Sequence, residues 1–355
     1  MSDLIALQVF GATGHMGRSL VKAALLHGDI VTAVGRTQES TMKQMERWHE
    51  RCLGLLCDVR VRKTVDAVIQ TTIREKGKVD IIVNCTGYGI IGSCEDQDEA
   101  TLRSQFETNF LGTLNIIQLS LPYFRSVSAG RYLIFSSTSG ALGVPGLGPY
   151  CATKYAVEGL IESMLYEVDT FGIKATLVQP GHVRLNEPEL WESHNTAANT
   201  QLAGCKTKPD GKSRYVQNTN PAVPVSATRF ASLPIDSQPL PRYGHFLIAN
   251  PSPPYAGPNA PAGHAQRIVQ WLNDRQPVSA VKSAELVWQL GHCKYPPLRL
   301  LLGNYAVECV RDRLRSIIEE IEDWKHLSFP VAVEDEMKDD APDEQMELDE
   351  QNEEN

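Results

Sequence analysis

Six short apolar runs alternate with amphipathic stretches in the first half of the chain, and this alternation restricts the possible folds most strongly. The runs are apolar at consecutive positions, as in strands that helices cover on both faces. This order predicts an α/β fold, a doubly wound parallel sheet with helices on both faces. The predicted strands are Ile5–Phe10, Ile30–Val34, Gly54–Cys57, Asp80–Asn84, Tyr132–Ser136 and Ala175–Gln179. The helices predicted around them cover 15–27, 38–51, 60–76, 99–125 and 149–171.

The regular alternation stops after Gly181 and returns near residue 263. Residues 186–262 hold 12 of the 21 prolines and show little periodicity, so they predict a long insertion that acts as a substrate lid. A seventh strand and three more helices are predicted beyond it, and residues 1–330 are predicted to form one domain. The later elements are helices at 263–274 and 281–292, a strand at Leu298–Leu302 and a helix at Asn304–Trp324.

The negative charge is concentrated at the end of the chain. The net charge is -9, and residues 334–355 alone carry 12 acidic side chains and one Lys. We therefore expect 331–355 to be a disordered acidic tail and the nearly neutral remainder not to bind nucleic acid. No apolar run approaches the roughly 20 residues of a membrane span. No signal peptide or zinc-like cysteine spacing is recognised, so we expect a cytoplasmic chain without a metal site.

A glycine-rich turn joins the first predicted strand to the first predicted helix. Glycines here let the backbone approach a pyrophosphate at the helix N-terminus, where free N–H groups favour an anion. Because the turn opens a series of alternating strands and helices, it predicts a dinucleotide site. The cofactor-binding candidates in this turn are Gly11, Thr13, Gly14, Met16 and Gly17.

The residue after the second strand predicts which dinucleotide binds. A site for NAD(H) usually has a carboxylate here, whereas this chain has Gly35 and then Arg36. A guanidinium can hold a 2′-phosphate with two hydrogen bonds, and a carboxylate would repel it. Arg36 therefore favours NADP(H) over NAD(H); the alternative is a solvated surface arginine.

Tyr150, Lys154 and Ser137 form a candidate catalytic group. Tyr150 and Lys154 lie four residues apart, on one face of a predicted helix. A phenol has a pKa near 10, and a neighbouring ammonium is expected to lower it. Ser137 follows the fifth strand, at the edge where open α/β sheets bind ligands.

Taken together, these motifs resemble the short-chain dehydrogenase/reductase family, from about Ile5 to Trp324. The resemblance implies a Rossmann-type fold of about seven strands. The Tyr-Cys-Ala-Thr-Lys segment and the surroundings of Asn109 are similar to the single-domain branch. The glycine turn, with His15 where that branch usually has Gly, is similar to the extended branch.

The resemblance also implies site residues that spacing alone does not reveal. Asn109 looks like the family's active-site helix asparagine. His182 is interpreted as a surface residue, and Leu185 stands where the family often has a threonine that binds the nicotinamide amide. The positions that resemble cofactor contacts are Asp58 and Val59 (adenine), Asn84 and Gly87 (the loop after the fourth strand), and Pro180, Gly181 and Val183 (nicotinamide).

The implied activity is the interconversion of a hydroxyl and a carbonyl group with NADP(H). Tyr150 would transfer the proton, Lys154 would lower its pKa and bind the nicotinamide ribose, and Ser137 would donate to the substrate oxygen. Asn109 would hold a water that links Lys154 to solvent. Two alternatives are a regulator that binds the dinucleotide without chemistry, and an epimerase or dehydratase of the extended branch.

The substrate and the partners are the least constrained predictions. Apolar side chains in the insertion suit a pocket for a hydrophobic alcohol or ketone, or a lid with its own small core. The resemblance implies a homodimer or homotetramer through helices 99–125 and 149–171, and the last helix is interpreted as core or dimer contact. The insertion side chains are Leu190, Trp191, Tyr215, Phe230, Leu240, Tyr243, Phe246 and Tyr255.

Overall fold

Seven parallel strands form one sheet in the part of the chain that the computed structural model describes. The described residues are 4–36, 45, 47–184, 242–257, 259–275 and 278–328. They are β1 (Ala6–Phe10), β2 (Ile30–Gly35), β3 (Cys52–Leu56), β4 (Ile81–Asn84), β6 (Gly130–Phe135), β7 (Ile173–Pro180) and β10 (Arg299–Leu302). Their order is β10-β7-β6-β4-β1-β2-β3. The chain starts in the middle and winds outward in both directions, so the predicted doubly wound fold is confirmed.

Helices cover both faces of this sheet. They are α1 (His15–Leu26), α2 (Arg62–Lys76), α3 (Glu99–Phe106), α4 (Gly112–Ser126), α5 (Gly148–Val168), α6 (Pro261–Arg275), α7 (Ala280–His292) and α8 (Asn304–Trp324). The single helix predicted at 99–125 is instead α3 and α4 joined by a π-helical turn, Glu107–Leu111. The helix predicted at 38–51 falls mostly outside the described residues, and its last part, 47–51, forms turns.

Alternate residues of each central strand enter two separate cores. Leu7 and Val9 of β1 pack with Leu20 of α1 and Ala284 of α7 on one face of the sheet. Phe10 belongs to the other core, with side chains of α2, α4 and α5. Because both faces are buried, the strands are apolar at consecutive positions, which is the pattern that the sequence shows.

A small three-stranded sheet lies beside the active-site edge. Its strands are β5 (Gly89–Ile91), β8 (Arg242–Tyr243) and β9 (Phe246–Ile248), in the order β5-β9-β8. A Cβ on Gly89 would lie 2.8 Å from the rings of both Phe246 and Tyr150, so glycine allows these rings to approach. The sheet brings the end of the predicted insertion against α5.

The chain divides into two compact units, Met1–Val310 and Arg311–Asn355. The first contains both sheets. The second contains the end of α8 and a 3-10 turn, Lys325–Leu327. The tail predicted at 331–355 lies outside the described residues, and the single domain over 1–330 stays a prediction.

Candidate active site

The glycine-rich turn lies between β1 and α1 and leaves the N-terminus of α1 open. Gly11 has a φ of +78°, and a Cβ there would lie 2.9 Å from the carbonyl carbon of Cys85. A Cβ on Gly17 would collide with the carbonyl oxygen of Gly11. Gly14 caps α1 without a side-chain hydrogen bond, and the first turn has no acidic residue. The backbone N–H groups of this turn are therefore suited to a pyrophosphate.

His15 begins α1 and lines the cleft above the turn, as do Met16 and Gly17. Its Nε2 atom is buried and has no hydrogen-bond partner among the described residues. Burial, with a smaller contribution from Arg18, lowers the pKa of His15, so the ring is neutral near pH 7. A buried nitrogen that lacks a partner beside an open helix N-terminus fits a bound phosphate group.

Arg36 is exposed at the end of β2 and lies near Asp58, which follows β3. A Cβ on Gly35 would lie 2.8 Å from Cγ2 of Thr13, so the turn and the end of β2 pack tightly. Arg60 donates to Asp58, with 2.6 Å between Nη2 and Oδ2. Partial burial raises the pKa of Asp58, but the hydrogen bonds and charge of Arg60, with Arg36, lower it overall. This edge is therefore positively charged.

The loop after β4 is held by side chains that bind protein groups. Oδ1 of Asn84 accepts from the backbone N–H of Thr86 at 3.0 Å and from its hydroxyl at 2.6 Å. Nδ2 of Asn84 donates to the hydroxyl of Thr113 at 2.9 Å. Val59 is buried, and its carbonyl accepts from Nδ2 of Asn115 at 2.9 Å. Asn84 therefore fixes the loop's shape.

The π-helical turn directs Asn109 into the space between this loop and α5. Nδ2 of Asn109 donates to the Tyr88 carbonyl at 2.8 Å and to the Thr153 hydroxyl at 3.0 Å. Its Oδ1 accepts from the Tyr88 N–H at 3.0 Å. A Cβ on Gly87 would lie 3.2 Å from this oxygen and 3.4 Å from Nζ of Lys154. Both amide hydrogens and the amide oxygen thus position the loop against the catalytic helix.

Tyr150 and Lys154 lie on the inner face of α5, where each is only 3–4% exposed. Nζ of Lys154 donates to the Phe135 carbonyl at 2.9 Å and lies 5.7 Å from the centre of the Tyr150 ring. Ser137, just after β6, lines the same cleft as Tyr150, and its hydroxyl lies near enough to the phenol to lower the pKa of Tyr150. The structure thus brings together the three side chains that the sequence predicted to be catalytic.

Burial controls the pKa values of Tyr150 and Lys154. Desolvation raises the pKa of Tyr150 well above its ordinary value, although the nearby Ser137 hydroxyl lowers it. Burial also lowers the pKa of Lys154 from 10.5 to about 8, while Glu158 and Cys85 oppose the change. The expectation that Lys154 lowers the phenol pKa stays a prediction, because removal of the phenol from water, and not the charge of Lys154, sets the shift here. At neutral pH the phenol is protonated and Lys154 is cationic.

A buried carboxylate supports Lys154 from the next turn of α5. Oε1 of Glu158 accepts from the Ser136 hydroxyl and from Nε2 of Gln179, each at 2.6 Å. Nε of Arg299, on β10, lies 3.6 Å from Oε2 of Glu158. Glu158 is not among the site residues predicted from the sequence, although it stands four residues after Lys154 on the same helical face.

The turn, the loop and the catalytic side chains line one cleft of about 180 Å³. Pro180, Gly181 and Val183 form one wall, as the resemblance implied. His182 also lines this wall and packs against Tyr305, with 5.7 Å between ring centres. Burial lowers the pKa of His182 to about 4, so its interpretation as a surface residue is wrong.

A hairpin from the end of the predicted insertion forms the opposite wall. Nε2 of His245, in the turn between β8 and β9, lies 3.4 Å from the Tyr150 hydroxyl. Phe246 packs edge-on against Tyr150, with 5.2 Å between ring centres. His245 is exposed at the cleft mouth, yet crowding by protein atoms lowers its pKa. Tyr255 lies away from this wall, and its hydroxyl donates to Glu95 at 2.9 Å.

Most of the aromatic candidates cannot be compared with the structure. Phe246 is part of the cleft, as an apolar substrate pocket requires. No local signal in the sequence pointed to His245, because its contact spans 95 residues. The candidates outside the described residues are Leu185, Leu190, Trp191, Tyr215, Phe230 and Leu240.

The part of the chain that the structure describes holds neither a candidate membrane span nor a candidate metal site. No helix in this part of the chain is long and apolar enough to cross a bilayer. Within the same residues, no group of three or more His, Cys, Asp or Glu side chains is arranged to hold a metal ion.

The fold and the cleft define a Rossmann-type enzyme with a nicotinamide dinucleotide cofactor. The family pattern described as short chain dehydrogenase matches residues 6–193, so the chain belongs to that family of oxidoreductases, which act on CH–OH groups with NAD(P). An oxidoreductase of Botryotinia fuckeliana, BOA17, is 30% identical over 325 residues, which cover 91% of this chain and 98% of that protein. A 3-ketodihydrosphingosine reductase of Bacteroides thetaiotaomicron is 33% identical over 173 residues, which cover 49% of this chain and 62% of that protein.

A solved structure supports the assignment over most of the chain. A short-chain dehydrogenase from Streptomyces avermitilis is 25% identical, with a TM-score of 0.71. The similarity covers 92% of this chain and 98% of that one. The similarity therefore extends beyond the 188 residues that the family pattern matches.

Proposed function

We propose that this chain is an NADP(H)-dependent reductase that converts a carbonyl group of a hydrophobic small molecule into a hydroxyl, and that catalyses the reverse reaction when product is in excess. The observation that carries the proposal is the grouping of the buried Tyr150 phenol with Ser137 and Lys154 in one cleft. A neutral phenol can donate a proton to a carbonyl oxygen, which is the step that reduction requires.

Each catalytic side chain has a separate task in this proposal. When bound, the nicotinamide supplies the hydride. Tyr150 donates its proton to the substrate oxygen, and Ser137 donates a hydrogen bond to the same atom as charge develops there. Lys154 stabilises the phenolate that Tyr150 becomes. His245, which reaches the Tyr150 hydroxyl and is exposed, is placed to return a proton from solvent.

The cofactor would follow the edge that joins the glycine turn to the end of β2. The backbone of Gly11 to Gly17 and His15 would hold the pyrophosphate. Arg36 would hold the 2′-phosphate, since Gly35 and Arg36 stand at the end of β2 where a NAD(H) site usually has a carboxylate. Asp58, Val59, Asn84 and Gly87 would border the adenosine and the ribose, and Pro180, Gly181 and Val183 the nicotinamide. Asn109 would act by positioning the loop rather than by touching substrate.

An apolar substrate is supported by the wall opposite the cofactor turn. Phe246 and Phe135 line the cleft and are nearly buried, and Val269 of α6 lines it beside them. Such a surface favours an alkyl or aryl group next to the reacting carbonyl. One relative is named as the reductase of a 3-keto compound, which supports a keto substrate here.

The reaction can be followed by NADPH absorbance with a panel of alkyl and aryl ketones. Tyr150→Phe is expected to lower kcat by about 10²- to 10⁴-fold, the usual contribution of general acid catalysis, with NADPH binding retained. Tyr166→Phe on the same helix is the control, because Tyr166 is 89% exposed and should leave kcat unchanged. Wild-type turnover by Tyr150→Phe would overturn the assignment.

The family match favours this function over the two alternatives. A regulator without chemistry is set aside because the chain belongs to a family of enzymes. An epimerase or dehydratase would return the hydride to its substrate. Such an enzyme would leave NADPH absorbance unchanged with every ketone tested, so the same assay separates it from the reductase.

A further inference from the structure

The second half of α8 carries a continuous apolar face that is exposed. Leu314, Ile318, Ile321 and Trp324 are 55%, 60%, 56% and 63% exposed. With Ile317 they recur every three or four residues, so they lie on one side of the helix. A contiguous exposed apolar surface of this kind marks an interaction site. We call these five residues the α8 face.

Most charges along the same segment are separated by sign. The residues before the middle of the α8 face are rich in arginine, and those after it are rich in carboxylates. The arginines are Arg311, Arg313 and Arg315, with Asp312 between the first two, and the later carboxylates are Glu319, Glu320, Glu322 and Asp323. A helix with this order of charges is complementary to itself when two copies run in opposite directions.

The positions of the charges define one register for such a pair. Arg313 and Glu320 flank one side of the α8 face, and Arg311 and Glu322 flank the other. In an antiparallel pair, Arg313 meets Glu320 of the second copy and Arg311 meets Glu322 of the second copy. Both pairings are centred on the same point, between residues 316 and 317. A parallel pair would instead place like charges side by side, which is unfavourable.

Within one copy, Arg313, Glu320 and Glu322 have exposed partners. Nη1 of Arg313 lies 3.9 Å from Oε1 of Glu320, and Nζ of Lys325 lies 2.5 Å from Oε2 of Glu322. Exposed ion pairs are weak, so the side chains can exchange these partners for those of a second copy at little cost.

Two other occupants fit the α8 face less well. Helices that bind anionic membranes carry mainly Lys and Arg on their polar side, whereas residues 311–325 hold five carboxylates and four cations. The residues that follow in this chain, 334–355, are strongly acidic and would be repelled by the acidic half of the segment.

We propose that the α8 face docks in antiparallel orientation against the α8 face of a second copy of this chain. Apolar side chains meet along the centre of the contact. Arginines of each copy meet carboxylates of the other along both sides. The contact is independent of the catalytic cleft and of the proposed reaction.

Charge reversal tests this pairing on the full chain by sedimentation equilibrium. Arg311→Glu with Arg313→Glu, and separately Glu320→Arg with Glu322→Arg, should each halve the mass of the wild-type assembly. An equal mixture of the two variants should restore that mass, because each then meets a partner of opposite charge. Asp312→Lys with Glu319→Lys is the matched control, since both residues lie away from the α8 face and the mass should not change.

Three results would overturn the proposal. One is a wild-type chain that sediments as a monomer. Another is a pair of charge-reversed variants that keep the wild-type mass alone, or that fail to recover it when mixed. The third is a chain ending at Ser328 that associates when the full chain does not, because the tail would then be the occupant. Far-UV circular dichroism of every variant checks that the fold is retained.

Discussion

Lys154→Met is expected to stabilise the folded protein while it abolishes activity. The Lys154 side chain is buried, and its pKa falls from 10.5 to about 8. A shift of this size corresponds to roughly 3 kcal/mol of unfavourable charge burial at neutral pH. Methionine has a similar length and no charge, but it leaves the Phe135 carbonyl without its donor, which costs about 1 kcal/mol. The free energy of unfolding should therefore rise by about 2 kcal/mol.

The gain should depend on pH in a defined direction. Because the folded pKa of Lys154 lies below the unfolded value, the unfolded chain binds more protons between pH 8 and 10.5. Wild-type stability should therefore rise with pH through this range, and near pH 10.5 the variant should be about 1 kcal/mol less stable than the wild type, because only the lost hydrogen bond to Phe135 then counts. At neutral pH the advantage should be complete.

Urea unfolding of the cofactor-free wild type and variant, at neutral pH and near pH 10.5, measures both effects. Lys63→Met, on the exposed side of α2, is the matched control and should change stability by less than about 0.5 kcal/mol. If Lys154→Met is no more stable than the wild type at neutral pH, burial of the ammonium is not what lowers its pKa.

Four further changes test other parts of the site. Arg36→Ser should lower kcat/KM for NADPH by about 10- to 100-fold, because hydrogen bonds to charged groups contribute about 1.5–3 kcal/mol. The kcat/KM for NADH should change little. Equal losses with both cofactors would contradict the role of Arg36. Gly17→Ala should prevent NADPH binding in a fluorescence titration, since the added Cβ meets the Gly11 carbonyl. Wild-type affinity for NADPH would show that the glycine-rich turn does not hold the pyrophosphate. His245→Ala should reduce kcat by about 2- to 12-fold, the value of one neutral hydrogen bond, and exogenous imidazole should restore part of it. Asn109→Ala should lower the free energy of unfolding by about 3 kcal/mol, since three hydrogen bonds are lost. A loss of less than about 1 kcal/mol would show that other contacts hold the loop after β4.

The main sheet could be predicted because its strands are buried on both faces. Runs such as Ile81–Asn84 contain no polar alternation, and helices with clear periodicity separate them. The small sheet could not be predicted in the same way. Two- and three-residue strands such as Arg242–Tyr243 and Gly89–Ile91 are too short to show a period, and Gly89–Ile91 pairs with a strand far along the chain, β9.

The catalytic side chains could be found from spacing, but their electrostatics could not. Tyr150 and Lys154 share a helical face whatever surrounds them, so the sequence indicated their proximity. The direction of the Tyr150 pKa depends on how completely the cleft excludes water, which only the packed structure shows. His245 and Glu158 contact side chains that are distant in the sequence, so their roles also appear only in the packed structure.

The buried carboxylate of Glu158 connects the catalytic helix to a late part of the chain. Its cationic neighbour Arg299 lies on β10, which follows β7 by more than a hundred residues. A nascent polypeptide that has emerged from the ribosome only through β7 contains the glycine turn and α5 but not this arginine. We therefore expect the part of the sheet from β1 to β7 to fold early during translation. The surroundings of Lys154 would be complete only when β10 pairs with β7.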